Sequence, residues 1–169
     1  LIRTELDNLD DIDEILEDSS LYTVNNLKAL NTPAAEYAPF YQNNYLYFTS
    51  TRNKDRIYKA TGDGFSDLYK IKTKGARVDT TTTKALPDVI NWTNTNEGSI
   101  AITSDGRTMI FAKGNTGKRK GANDVNLYIT RYRNKRWSEP RLMAINDPNS
   151  WNSTPAFSAD NRTLYFSSN

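Results

Sequence analysis

The sequence of 169 residues contains neither cysteine nor histidine. This double absence excludes disulfides, thiol nucleophiles, histidine general bases and the zinc sites built from these two residues. No stretch reaches the roughly 18–20 consecutive apolar residues of a membrane-spanning helix. No basic-then-apolar signal peptide opens the chain, which begins at Leu1. We therefore expect no cofactor, and the missing chemistry argues against an enzyme.

Acidic residues are concentrated at the N-terminus. Residues 1–20 hold eight acidic side chains and one basic one, whereas the other 149 residues carry 21 basic and 12 acidic side chains. Apolar residues recur in this segment at helical spacing, namely Ile2, Leu6, Leu9, Ile12 and Leu16. This spacing predicts an α-helix within an acidic segment and linker at residues 1–23. The helix either packs its apolar stripe on a neighbour or offers an acidic contact surface.

A different pattern follows from residue 24 onward. Short alternating strands are separated by Asn, Gly, Asp and Thr clusters, and an aliphatic-Asn pair recurs at residues 30–31, 90–91 and 145–146. After each pair come an alternating strand, a turn and a second strand with an aromatic end. Three or four antiparallel strands at a period of about 40 to 60 residues are typical of propeller blades.

The predicted fold class is therefore all-β, a partial β-propeller of about three four-stranded blades preceded by the short acidic helix. The propeller repeats span residues 24–169, with units at about 27–91, 92–146 and 147–169, the last of them incomplete. A closed propeller needs four to eight blades. We thus expect the remaining blades on the same, longer chain or on another chain.

Residues that recur at the same place in the repeats are expected to stabilise each repeat. Phe111 and Phe166 share one place in the pattern, so we expect both to be buried and both to be costly to truncate. The expected structural residues are Asn31, Pro39, Phe48, Tyr69, Asn91, Asp105, Gly106, Phe111, Tyr128, Trp137, Asn146, Pro155, Asp160 and Phe166.

Two stretches carry a resemblance to a known repeat family. Residues 38–39 followed by 46–50, and residues 154–160 running into 164–168, resemble the core of WD40-like repeats of the PD40 or TolB type. Residues 126–129 and 137–140 are similar to the longer form of this repeat in OmpA-family envelope proteins of Bacteroidota. The first repeat lacks the family's Asp-Gly turn, and the second has Ile100 where the family has Pro.

The resemblance implies a non-catalytic binding and scaffold module. In one branch of the family such repeats belong to type IX secretion, in the periplasm and associated with the outer membrane. It implies protein partners in an envelope complex, no nucleic acid, and membrane association only through segments outside these residues. Peptidoglycan binding is not carried over, because no peptidoglycan-binding segment is present in the sequence.

The most basic part of the chain lies beside aromatic residues. Solvated charges or an anionic partner explain such a cluster better than nucleic acid does. The candidate partner-binding residues are Lys118, Arg119, Lys120, Arg131 and Arg133. The loops at residues 51–66 and 113–124 exceed those of a minimal blade and are further candidates for partner contact.

Two enzymatic alternatives are a propeller that gates a peptidase and a sialidase-like glycosidase. A propeller that gates a prolyl-oligopeptidase-type peptidase would accompany a Gly-x-Ser-x-Gly nucleophile, which this sequence lacks. Residues 104–108 resemble a sialidase Asp-box, but Asp105 in such a box orders a turn by hydrogen bonding. Asp63 and Asp67 could ligate calcium, although their spacing fits a polar hairpin loop better.

Overall fold

The computed structural model of the chain describes residues 25–115 and 125–169. The predicted acidic helix and the basic residues Lys118, Arg119 and Lys120 lie outside these ranges. Within them the fold is all-β and contains no helix. The strands are β1 (Glu36–Gln42), β2 (Tyr45–Ser50), β3 (Asp67–Lys74), β4 (Arg77–Ala85), β5 (Asn96–Ile102), β6 (Thr108–Gly114), β7 (Asn126–Arg133), β8 (Arg136–Trp137), β9 (Arg141–Leu142), β10 (Asn152–Phe157) and β11 (Leu164–Ser168).

The strands form three antiparallel sheets that follow the order of the chain. The first sheet has the order β1-β2-β3-β4, the second β5-β6-β7-β8 with β9 also paired to β7, and the third β10-β11. The strand β5 packs on β1, β2 and β3, and β10 packs on β5, β6 and β7 in the same way. Among the described residues the third sheet does not contact the first. These sheets follow one another without closing a ring.

The first strand of every sheet carries the same irregularity. A register shift interrupts each of the hairpins β1-β2, β5-β6 and β10-β11. Ala38, Ser99 and Thr154 lie at these shifts with φ angles of 49°, 45° and 51°. A non-glycine residue with positive φ is uncommon, so its recurrence at one place marks a shared bulge. The repeat therefore exists in the backbone as well as in the sequence pattern.

The hairpin turns use the residue types that positive φ requires. Asn43 and Asn44 turn the first hairpin with φ angles of 49° and 61°, and Gly106 and Asn161 turn the other two at 70° and 59°. Asn and Gly tolerate this conformation better than other residues do. Neighbouring turns also touch, since the Asn161 Nδ2 donates a hydrogen bond of 2.8 Å to the Ser104 Oγ.

The side chains of two recurring asparagines form hydrogen bonds between the end of a repeat and its third strand. The side chain of Asn91 accepts a hydrogen bond from the Leu68 N–H at 2.9 Å and donates one to the Leu68 carbonyl at 3.0 Å. Asn146 forms the same pair of bonds with Leu127, at 2.7 and 3.0 Å. Asn31 forms an equivalent turn but is exposed, and its Nδ2 donates to the Asn26 Oδ1.

We expect Asn91→Ala to lower the free energy of unfolding by about 1–3 kcal/mol, because the Leu68 backbone groups would lose partners in the interior. Urea denaturation followed by circular dichroism measures the change. Asn31→Ala is the matched control, since the same residue type stands there in an exposed turn. Equal losses for the two variants would contradict the role given to Asn91.

Apolar side chains fill the spaces on both sides of the second sheet. Between the first two sheets Phe111 packs with Leu68, Ile90 and Ile100, and Trp137 lies at the edge of this cluster. Between the second and third sheets lie Ile110, Ala112, Val125 and Leu127, together with partly buried Phe157 and Leu164. The outer face of the first sheet buries Phe48, Tyr69 and Ile71 under Leu30.

The expectation that Phe166 is buried like Phe111 is wrong. Phe166 is 38% exposed, whereas Phe111 is fully buried and Phe48 nearly so. In the first two repeats a third strand supplies a covering ring, since Phe48 lies 5.6 Å from Tyr69 and Phe111 lies 6.3 Å from Tyr128 between ring centroids. Within the described residues β11 has only β10 as a neighbour in its sheet, so Phe166 has no such cover.

Candidate functional site

A basic groove lies at the turn end of the second sheet. It has a volume of about 710 Å³ and is lined by Arg107 from the β5-β6 turn, by Arg131 and Arg133 from β7, and by Lys135 from the β7-β8 turn. Asn134 and Lys135 make that turn with φ angles of 52° and 62°. Because this turn folds β8 back along β7, it places Lys135 beside the arginines of the strand.

The only carboxylate that lines this groove among the described residues is already engaged. Asp105 accepts hydrogen bonds from the Thr103 hydroxyl at 2.6 Å and from the Arg107 N–H at 2.9 Å. The Thr103 bond, followed by the Arg107 one, holds the pKa of Asp105 below its usual value. Asp160 makes the same bonds with Ser158 and Arg162. Both residues order turns, as the structural interpretation of the Asp-box requires.

The cations of the groove form no ion pair with a described residue. Arg131 donates a hydrogen bond of 2.8 Å to the neutral Thr108 hydroxyl. Arg133 stands directly opposite Arg136 across the β7-β8 pair, and both are exposed. Like charges directly opposite each other on two strands are destabilising. An anionic ligand in the groove would remove this repulsion.

A second polar feature is the buried pair of Glu97 on β5 and Lys113 on β6, which face each other in the strand register. The two residues are only 1% and 3% exposed. Glu97 Oε1 accepts a hydrogen bond from the Trp92 N–H at 3.2 Å, but Glu97 Oε2 and Lys113 Nζ are buried without a hydrogen-bond partner among the described residues. The ammonium lies 2.8 Å from the centroid of the Trp92 ring and 4.0 Å from that of Tyr128.

Burial changes the proton affinity of both groups. It raises the pKa of Glu97 from 4.5 to about 9, against a smaller opposing effect of the Trp92 hydrogen bond. It lowers the pKa of Lys113 from 10.5 to about 8, although the Glu97 carboxyl partly offsets this. Removing a charge from water disfavours the charged form in each case.

At the equivalent positions of the other repeats, the buried polar groups have hydrogen-bond partners. Glu36 faces Ser50, and its carboxylate accepts hydrogen bonds from the Thr32 N–H, the Ser50 hydroxyl and the Arg52 guanidinium at 2.9–3.1 Å. Although burial raises the pKa of Glu36, these bonds hold it below its usual value.

In the third repeat two neutral side chains occupy the same position and form a hydrogen bond with each other. Asn152 faces Ser168, accepts its hydroxyl hydrogen bond at 3.0 Å, and also accepts one from the Asp147 N–H at 3.3 Å. The second repeat alone, among the three described, leaves polar atoms of this position without partners.

The calcium hypothesis for Asp63 and Asp67 finds no support in the geometry. Asp63 forms an ion pair with Lys54 at 2.9 Å. Asp67 lies buried in β3, where burial raises its pKa and an Asn53 hydrogen bond partly offsets the rise. No group of three or more acidic residues that could hold a metal ion occurs in residues 25–115 and 125–169.

Of the predicted partner-binding residues, the structure brings Arg131 and Arg133 together in the groove. Lys135 belongs to the basic stretch recognised in the sequence, and with Arg107 it completes the groove. The sequence did not point to Arg107, Glu97 or Lys113 as site residues. Arg107 could have been found because it adjoins the conspicuous Asp105-Gly106 turn. The Glu97 and Lys113 pair could have been found by aligning the repeats, since Lys113 stands where the other two repeats have Ser50 and Ser168.

Two comparisons with known proteins found no match. No family model matches the chain, and no curated protein matches it significantly. In the part of the chain that the structure describes, no helix is long and apolar enough to cross a membrane.

Proposed function

We propose that this chain is a non-catalytic module of propeller-type repeats that binds an acidic segment of a partner protein in its basic groove. The observation that carries the proposal is the set of four cations around one groove, whose single described carboxylate is engaged by a turn. Complementary charge gives such surfaces selectivity and fast association.

The scaffold suits a static binding role. The turn that carries Arg107 and the strand that carries Arg131 and Arg133 belong to one sheet, and β6 and β7 are joined by a continuous register from Thr108 and Arg131 to Lys113 and Asn126. Sites built on strands are held more precisely than sites on loops. The groove can therefore present its charges in a fixed pattern without any catalytic group.

The cellular setting of this module is also a proposal. Propeller-type repeats of this kind fit a periplasmic, outer-membrane-associated complex, and type IX secretion in particular, on the resemblance of their sequence. In that setting the remaining blades, on the same longer chain or another one, would complete the ring. The support for blade-like units is the equivalence of the three bulges at Ala38, Ser99 and Thr154 and of the Asn91 and Asn146 bonds.

The test uses a fluorescein-labelled peptide of alternating Glu and Ser. A second labelled peptide, in which Lys replaces every Glu, is the probe of opposite charge. We expect anisotropy titrations to show saturable binding of the acidic peptide alone. The double variant Arg131→Glu, Arg133→Glu should weaken this binding by about tenfold or more at about 0.1 M salt, because exposed charges beyond about 10 Å are largely screened there and close charge pairs dominate.

The matched control reverses two exposed lysines outside the groove, Lys28→Glu and Lys59→Glu, which changes the net charge equally. This control should bind the acidic peptide within about twofold of the wild type, because screened charges at a distance contribute little. Equal weakening of peptide binding by both double variants would show that the net charge of the protein, and not the groove, accounts for the binding. Absence of saturable binding in the wild type would refute the groove as a binding site.

A further inference from the structure

At the opposite end of the strands, a cavity lies between the first two sheets. Its volume is about 360 Å³, within the range of small-molecule sites. Its walls include Tyr37 of β1, Tyr58 and Ser66 from the loop before β3, and Asn96, Glu97 and Gly98 at the start of β5. The loop at residues 51–66, predicted as a contact loop, thus forms one wall.

The second repeat departs from its neighbours at this cavity. Gly98 follows Glu97 where the other repeats have Tyr37 and Ser153 after Glu36 and Asn152. The missing side chain leaves room, because a Cβ on Gly98 would meet nothing closer than the Thr49 hydroxyl at 3.6 Å.

The polar groups of the wall are held in place by one another. The Tyr37 hydroxyl donates to the Ser66 Oγ at 2.9 Å, and the Tyr58 hydroxyl donates to the Asn115 Oδ1 at 2.6 Å. Asn96 accepts from the Ser66 N–H at 2.8 Å. Each tyrosine hydroxyl keeps an acceptor lone pair and the Ser66 hydroxyl keeps its proton for a ligand.

The chemistry of the walls selects an uncharged, hydroxyl-rich ligand. Among residues 25–115 and 125–169 no lysine or arginine lines the cavity, its aspartate Asp63 is paired with Lys54, and Glu97 is buried in the wall. The ring of Tyr37 is 45% exposed and gives an apolar face beside the hydroxyls. A pyranose ring combines an apolar face with hydroxyl donors and acceptors in this way.

We propose that the cavity between the first two sheets, at Tyr37, Tyr58, Ser66, Glu97 and Gly98, binds a neutral sugar unit. This site is distinct from the basic groove, and the proposal does not depend on the function assigned to that groove.

The test is saturation-transfer NMR of the full chain with methyl glucoside and methyl N-acetylglucosaminide as probes. We expect saturable transfer from at least one probe, with an affinity of about millimolar, as for ligands with few contacts. Gly98→Leu should weaken binding by about tenfold or more because its side chain fills the space for the ring. Gly98→Ala, which fits without a clash, should bind nearly as the wild type does.

A second pair of variants keeps the test decisive if Gly98→Leu disturbs folding. Tyr37→Ala removes the exposed ring in the wall, whereas Tyr41→Ala removes a more exposed ring from the same strand away from the cavity. We expect only the first to lose saturation transfer, while both keep the far-ultraviolet circular dichroism spectrum of the wild type. No transfer from either sugar to the wild type, or equal transfer in the two tyrosine variants, would overturn the proposal.

Discussion

Truncation of Phe111 to alanine is expected to lower the free energy of unfolding by about 3–5 kcal/mol, the usual cost of removing a fully buried phenylalanine. Phe111 has no exposed surface and packs with Leu68, Ile90 and Ile100 between the first two sheets. Its ring also lies 6.3 Å from that of Tyr128. The truncation would therefore leave a cavity in the layer that joins two repeats.

Phe166→Ala is the matched control, because Phe166 occupies the same place in the third repeat but is 38% exposed. Phe166→Ala should lower the free energy of unfolding by less than about 2 kcal/mol, since part of the ring already contacts water. Urea denaturation of the three proteins, followed by near-ultraviolet circular dichroism, compares them directly. A loss for Phe111→Ala no larger than for Phe166→Ala would contradict the layered packing.

Replacing Lys113 with methionine is expected to raise the free energy of unfolding by about 1–4 kcal/mol. The ammonium is buried on the Trp92 and Tyr128 rings without a hydrogen bond to any described residue, and methionine keeps the volume without a charge to desolvate. The matched control is Lys70→Met, because Lys70 lies 5.1 Å from the centroid of the Tyr45 ring but is less buried. That control should change stability by less than about 0.5 kcal/mol, as surface substitutions do.

The same pair gives the stability a characteristic dependence on pH. Burial raises the pKa of Glu97 from 4.5 to about 9, so the folded chain retains a proton that the unfolded chain releases in this window. The stability contribution of Glu97 therefore falls as pH rises from 4.5 to about 9. Burial lowers the pKa of Lys113 from 10.5 to about 8, so its contribution rises with pH between these values.

Denaturation at a series of pH values separates the two groups. Glu97→Gln should remove the fall above pH 4.5, and Lys113→Met should remove the rise above about pH 8. A wild-type profile unchanged by either substitution would show that neither group has the shifted pKa assigned to it.

Several features of the fold follow from local chemistry and could be predicted from sequence. The Asn43-Asn44, Asp105-Gly106 and Asp160-Asn161 turns use residues whose side chains or φ angles fix the backbone locally. The recurrence of asparagine at Asn91 and Asn146 also marked a structural need, although its hydrogen-bond partners Leu68 and Leu127 are distant in sequence.

Burial was less predictable than the repeat itself. Phe111 and Phe166 occupy the same place in the repeat, but in the described residues a third strand covers only the ring of Phe111. The repeat pattern specifies which face a side chain takes, because residues alternate along a strand. It does not specify what covers that face.

The sequence by itself determined that this chain is built of repeated β-hairpins without Cys or His chemistry, because turns and strands depend on residues close in the chain. Only the tertiary structure brought Arg107 to Arg131 and Arg133, opposed Glu97 to Lys113, and opened the cavity beside Gly98. These sites join residues from different strands and sheets. Their charge, burial and room depend on packing, which no single stretch of sequence encodes.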